Sequence, residues 1–103
     1  ITTNISIGQA NIINWGCRIG HDTVLEDFVS LMPATNLAGE VKVGEGSYFG
    51  LNSCVINRTS IGRWSIIGAG ATVIRDIPDY CVAVGVPARV IKHRDMEASG
   101  GAG

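Results

Sequence analysis

A chain of 103 residues allows one domain with a thin core, of marginal stability unless something else supports it. Eight basic and nine acidic residues are well mixed and leave a net charge of −1, which argues against a nucleic-acid or membrane-surface partner, since either would want a basic excess. Hydrophobic residues make up 46%, yet no run approaches the ~18 apolar residues of a membrane helix and no signal or transit pattern is visible in these residues; the expectation of a cytoplasmic protein comes from three cysteines that read as free thiols in a reducing compartment.

From the first residue the chain repeats with a period of six. Aliphatic or aromatic anchors fall at Ile1, Ile7, Ile13, Ile19, Leu25, Leu31, Leu37, Val43, Phe49, Val55, Ile61, Ile67 and Val73, without an insertion. Four places after each anchor a second, mostly small or β-branched set follows, running from Ile5 and Asn11 to Ser65 and Ala71. A helix would need apolar spacings of three and four, which are absent. Each hexad therefore reads as a short strand and a corner, with the small residue and the next anchor both pointing inward. Three hexads close a triangular coil of eighteen residues, and the expected fold is all-β, a parallel β-helix of about four coils.

The first coil, residues 1–18, carries Asn11 at an inward position, expected to mark the capped or frayed end of the solenoid. It also carries Asn14 and Trp15 on its third corner. The second coil, residues 19–36, places His21 and Asp22 on the first corner. The third, residues 37–54, stacks Gly39 above His21, and has Gly50 and Leu51 on the third corner. The fourth, residues 55–72, continues the third corner with Gly68 and Ala69 and the first with Asn57. The second corner stacks Gln9, Asp27, Glu45 and Arg63 and reads as solvated surface. The third, with Trp15, Pro33 and Leu51, is unusually apolar and reads as a surface buried against a partner.

The register stops after Val73. The β-helix is expected over residues 1–76, a capping segment over 77–93, and a disordered, glycine-rich tail over 94–103. Because the chain opens on Ile1 and not Met, it reads as a segment of a longer protein. Cys17, Cys54 and Cys81 are odd in number and lack metal-ligand spacing, which reads as free thiols. Turns with positive φ favour glycine, and Gly8, Gly20, Gly44 and Gly62 are assigned to them; Gly39, Gly50 and Gly68 are split between that role and ligand contact.

A lone histidine is usually structural, but His21 has three features beyond that. Asp22 follows it, packing does not require a histidine on an outer corner, and Gly39 one coil above leaves space and a backbone N–H. A histidine base and a backbone donor for a developing oxyanion make a minimal acyl-transfer site. A zinc hydratase on such a scaffold would need three histidine ligands, against two histidines in this chain.

The runs "IINWGCRIGHDTVLEDF", "LAGEVKVGEGSYFGLNSCVI", "IGAGATVIRDIPD" and "VAVGVPARVI" resemble the sialic-acid O-acetyltransferase and bacillosamine-type UDP-amino-sugar N-acetyltransferase family of hexapeptide-repeat proteins, over roughly residues 5–92. The resemblance implies a left-handed winding and a homotrimer, with acetyl-CoA between adjacent β-helices and a sugar amine or hydroxyl as acceptor. It implies that His21 is the general base, Asp22 its carboxylate partner, and Gly39 the donor to the thioester carbonyl. Asn14 matches an asparagine near the acceptor. Gly50, Gly68 and Ala69 fall on the cofactor groove. Gly85, Val86, Pro87 and Ala88 match a loop at the adenine end, with Arg89 and Lys92 as phosphate partners. Ser30 stands where some members have a second histidine, and nothing here corresponds to the family's βαβ sugar-binding domain. The competing expectation is a non-enzymatic β-helix scaffold that lacks such a domain.

Overall fold

A computed structural model describes residues 4–94. Twelve two-residue strands recur every six residues: β1 (Ser6–Ile7), β2 (Ile12–Ile13), β3 (Arg18–Ile19), β4 (Val24–Leu25), β5 (Ser30–Leu31), β6 (Asn36–Leu37), β7 (Lys42–Val43), β8 (Tyr48–Phe49), β9 (Cys54–Val55), β10 (Ser60–Ile61), β11 (Ile66–Ile67) and β12 (Thr72–Val73). Two longer strands follow, β13 (Cys81–Val84) and β14 (Arg89–His93). The strands form three walls, β1-β4-β7-β10, β3-β6-β9-β12 and β2-β5-β8-β11-β13-β14. Pairing in the coils is parallel with an offset of one coil, Ser6 opposite Val24 and Arg18 opposite Asn36. This is the parallel solenoid expected from the hexad period.

The core is the two inward sets. Every anchor from Ile19 to Val73 is at most 3% exposed. Burying each such side chain contributes about 1.5–3 kcal/mol. The small positions Thr23, Thr35, Ser47, Ser53, Thr59 and Ser65 are also buried. Their hydroxyls need acceptors there, and they find them in corner carbonyls: Ser47 donates to Gly62 O at 2.6 Å and Ser53 to Gly50 O at 2.9 Å. At the open first coil Ile7 remains 41% exposed. Asn11 caps the coil above it, its Oδ1 accepting the Val29 N–H at 2.7 Å.

The corners overturn the glycine assignment. Positive φ recurs every sixth residue, at Asn4, Ala10, Gly16, Asp22, Phe28, Ala34, Glu40, Gly46, Asn52, Arg58, Trp64 and Gly70. Most of these residues are not glycine. A ladder of corner hydrogen bonds holds them in place, as in Glu40 N to His21 O at 2.7 Å and Arg58 N to Gly39 O at 3.0 Å. Gly8, Gly20, Gly44 and Gly62 have no left-handed φ. They are glycine because coils approach closely: a Cβ on Gly20 would lie 2.5 Å from Gly39 N, and one on Gly44 2.7 Å from Arg63 N.

Past Val73 the last coil is two residues shorter than the rest. Ile61 bridges to Ile77 and Ile67 pairs with Ala83, where a regular coil would pair residues eighteen apart. β14 then folds back antiparallel on β13, with a bulge beside Val82 and Ala83. Of the segment 94–103 only Arg94 is described. Its guanidinium donates to Trp64 O, and residues 95–103 lie outside the described residues.

Candidate active site

The first corner places His21 and Asp22 between β3 and β4. Neighbours on an extended strand point apart, but Asp22 has φ +57°. Its carboxylate turns back to His21, and His21 Nδ1 stands 3.0 Å from Asp22 Oδ2. The hydrogen bond from His21 holds the Asp22 carboxyl below the ordinary range, with the Asn4 side chain adding to the effect. Asp22, as a carboxylate, accepts a hydrogen bond from the tautomer of His21 that carries its proton on Nδ1. This leaves the lone pair of the neutral ring on Nε2. Both side chains are more than half or half exposed, at 58% and 50%.

Gly39 is buried against this ring. A Cβ on it would stand 2.6 Å from His21 Nε2, so any side chain would push the ring out of place. Among the described residues the Gly39 N–H donates to no protein acceptor, and neither does the N–H of Asn57 one coil higher. The second corner differs. There the equivalent N–H groups of Gln9, Glu45 and Arg63 donate to the carboxylates of Asp27, Glu26 and Asp79, at 2.7, 3.2 and 2.8 Å. Three of the second corner's N–H groups are thus closed by its own side chains, whereas Gly39 and Asn57 on the first corner have no such partner among the described residues.

The remaining sequence-derived residues divide by location. Asn14, Gly50, Gly68 and Ala69 lie on the third corner, away from His21 within one chain. Asn14 is half-buried and donates its amide to Leu31 O at 3.0 Å. Gly50 is close-packed, since a Cβ there would lie 2.5 Å from Ala69 N, and one on Gly68 would meet the Val84 side chain at 2.8 Å. Gly85, Val86, Pro87 and Ala88 form the turn from β13 to β14, with a cis peptide bond between Val86 and Pro87. This turn is tied to the coil, Thr72 N donating to Gly85 O at 3.0 Å and Ala88 N to Thr72 O at 2.7 Å.

At the top of the first corner a cavity of about 280 Å³ opens between the last coil and the turn, lined by Ile74, Arg75, Asp76, Pro87, Ala88 and Arg89 among others. Pro87, Ala88 and Arg89 meet there, and Lys92 does not line it. The sequence period puts Arg75 on the first corner but does not single it out as a site residue. By the eighteen-residue period Arg75 follows His21, Gly39 and Asn57, but the two-residue deficit between Val73 and Ile77 falls on its corner.

No protein-family model matches the chain. Solved structures do. A variant of perosamine N-acetyltransferase from Caulobacter crescentus, in complex with CoA and GDP-perosamine, superposes with a TM-score of 0.84 at 42% identity, covering 85% of this chain and 42% of that one. The acetyltransferase domain of PglB from Neisseria gonorrhoeae gives 0.81 at 29% identity, over 87% and 54%. Serine acetyltransferase of Salmonella typhimurium is 32% identical over 74% of this chain and 31% of its own length. The chain belongs to the hexapeptide-repeat acetyltransferases. As in that family, the β-helix is left-handed, an exception to the usual right-handed crossover. This hexapeptide-repeat chain spans about a third of the length of the curated relatives it matches.

Proposed function

We propose that the chain is the acyl-transfer domain of a cytoplasmic, acetyl-CoA-dependent sugar acetyltransferase, acting on an amine or hydroxyl of a nucleotide-linked sugar. The observation that carries this reading is the first corner itself: His21 with Nδ1 fixed by Asp22 and Nε2 directed at the open backbone of Gly39. A buried N–H without an acceptor is costly. A thioester carbonyl docked beside Nε2 would satisfy the one on Gly39 and present its carbon to the acceptor.

In this mechanism Nε2 removes the proton from the acceptor nitrogen or oxygen as that atom attacks the thioester carbon. The Gly39 N–H stabilises the charge developing on the carbonyl oxygen. The carbon–sulfur bond then breaks, and the imidazolium returns the proton to the departing sulfur. Asp22 orients the ring and favours the imidazolium while it lasts.

The separation of Asn14, Gly50, Gly68 and Ala69 from His21 supports a site shared between chains. A homotrimer would bring the third corner of one chain, with Trp15 at 79% and Leu51 at 54% exposure, against the first corner of its neighbour. Acetyl-CoA would lie in that groove along the helix axis, with Arg89 or Lys92 reaching its 3′-phosphate. The likeness to sugar N-acetyltransferases favours this family branch, and the amino-sugar and sialic-acid types share its parts. Isothermal titration with acetyl-CoA, CoA and free acetate tests the reading against a non-enzymatic scaffold. Saturable binding of the thioester and the thiol, but not acetate, is the expected result, and no binding contradicts it.

A further inference from the structure

We infer that Asn4 is a positioning residue for the His21 base, its side chain holding the Asp22 carboxylate toward the ring from one coil below. The inference rests on the reading of His21 above and adds to it what steadies Asp22. The Asp22 side chain is half exposed and turns about two bonds, and water competes with His21 for its oxygens. One hydrogen bond to the ring leaves such a carboxylate loosely aimed. A second donor, placed on the carboxylate from another direction, fixes it.

The coil register supplies that donor. Ser6 lies opposite Val24, and Ser6 N donates to Thr23 O at 3.0 Å, which sets residue 4 beneath residue 22. Asn4 and Asp22 share one left-handed turn, with φ of 57° at each. Their side chains therefore leave the corner alike, one strand spacing of roughly 4.8 Å apart. Glu40 and Arg58 take the next two places in this column, at φ 61° and 60°. There the side chains meet across one coil, Arg58 Nε standing 3.3 Å from Glu40 Oε1. Glu40, the neighbour above Asp22, is thus engaged by Arg58. The neighbour below is neutral and carries an amide N–H donor. Asp22 senses it: after His21, the hydrogen bond from Asn4 is the next cause that holds its carboxyl below the ordinary range. Asparagine meets both demands of this position, since it tolerates left-handed φ and donates to a carboxylate. Aspartate tolerates the same turn but would repel Asp22.

Asn4→Gly tests this, because glycine keeps the left-handed turn and removes the amide. The readout is the ratio of Nδ1–H to Nε2–H tautomer in the neutral His21 ring, by ring-nitrogen NMR of the histidine-labelled chain, with His93→Gln assigning the second ring. The ratio should fall about 3- to 10-fold in Asn4→Gly, the net worth of one solvent-exposed hydrogen bond. Asn4→Gln keeps an amide and should recover part of it; Glu40 and Arg58 show that long side chains fit this turn. In the acetyl-transfer assay kcat should fall by a similar factor with KM for acetyl-CoA unchanged. An unchanged ratio in Asn4→Gly overturns the assignment and leaves His21 as the base. An equal fall in Asn4→Gln assigns the effect to the turn and not the amide, and overturns it too. A wild-type ring that favours Nε2–H overturns this placement and the reading of the His21–Asp22 pair together.

Discussion

Gly39 and His21, one coil apart on the first corner, are packed so closely that a methyl group on the glycine would stand 2.6 Å from the imidazole Nε2. The contact fixes where the basic nitrogen points. Gly39→Ala should displace the ring and lower kcat by about 10-fold or more, since small misplacements of a catalytic group are costly. Thermal unfolding should change far less, because the corner is outside the hydrophobic core. Steady-state kinetics beside a melting curve checks both halves; a full-rate Gly39→Ala enzyme would show that Nε2 is not the working atom.

Asp22 gives a pH-dependent signature. Its carboxyl is held below the ordinary value of 3.8 in the folded chain, first by the hydrogen bond from His21. The stabilisation is therefore present above the unfolded value and disappears as pH falls through the lower, folded one. Asp22→Asn removes that dependence, while asparagine remains well suited to the left-handed turn. Melting temperatures of the two proteins should keep a constant offset at neutral pH, which changes only as pH falls below about 4. Parallel curves down to the acid limit would deny Asp22 its role.

The two classes of glycine should respond oppositely to substitution. Gly70 has φ +70° and nothing within 4 Å of a would-be Cβ. Asparagine, which already occupies the equivalent turns at Asn4 and Asn52, should be tolerated there within about 0.5 kcal/mol. Gly44→Ala forces a methyl to 2.7 Å from Arg63 N in the coil above. It should cost about 1–3 kcal/mol. Urea unfolding of both variants decides; equal costs would mean that turn geometry, not coil spacing, selects these glycines.

Assembly is testable through Leu51. Leu51→Asp would bury an unpaired charge if the third corner meets a neighbouring chain. Analytical ultracentrifugation at micromolar concentration should show a trimer for wild type and smaller species for the variant. A wild-type monomer would contradict the shared site.

Much of the fold was legible because each hexad repeats one instruction. Thirteen anchors in strict register leave no other way to bury Ile19, Phe49 or Val73. The corners were less legible. Left-handed φ falls on Phe28, Glu40, Arg58 and Trp64, residues whose own preference says nothing of it; the ladder between coils imposes it. The shortened last coil was visible as a loss of register after Val73, but its two-residue deficit depends on the pairing of Ile61 with Ile77. Within the site, His21, Asp22 and Gly39 could be placed because the eighteen-residue column aligns them. Arg75 shares the eighteen-residue spacing in the sequence, but the deficit of the last coil falls between Val73 and Ile77 and takes its corner out of register. The cavity it borders with Arg89 forms where the turn after β13 folds onto that shortened coil.

The central claim is that His21 is the base, and the most direct test is His21→Ala assayed for both turnover and CoA binding. With acetyl-CoA and a nucleotide-linked amino sugar as acceptor, kcat should fall by about 10²–10⁴-fold. The dissociation constant for CoA should remain within about 3-fold of wild type, because the ring contacts the reacting end alone. A His21→Ala protein with near-wild-type kcat would contradict the account and leave only the holding of acceptor against thioester as the source of rate.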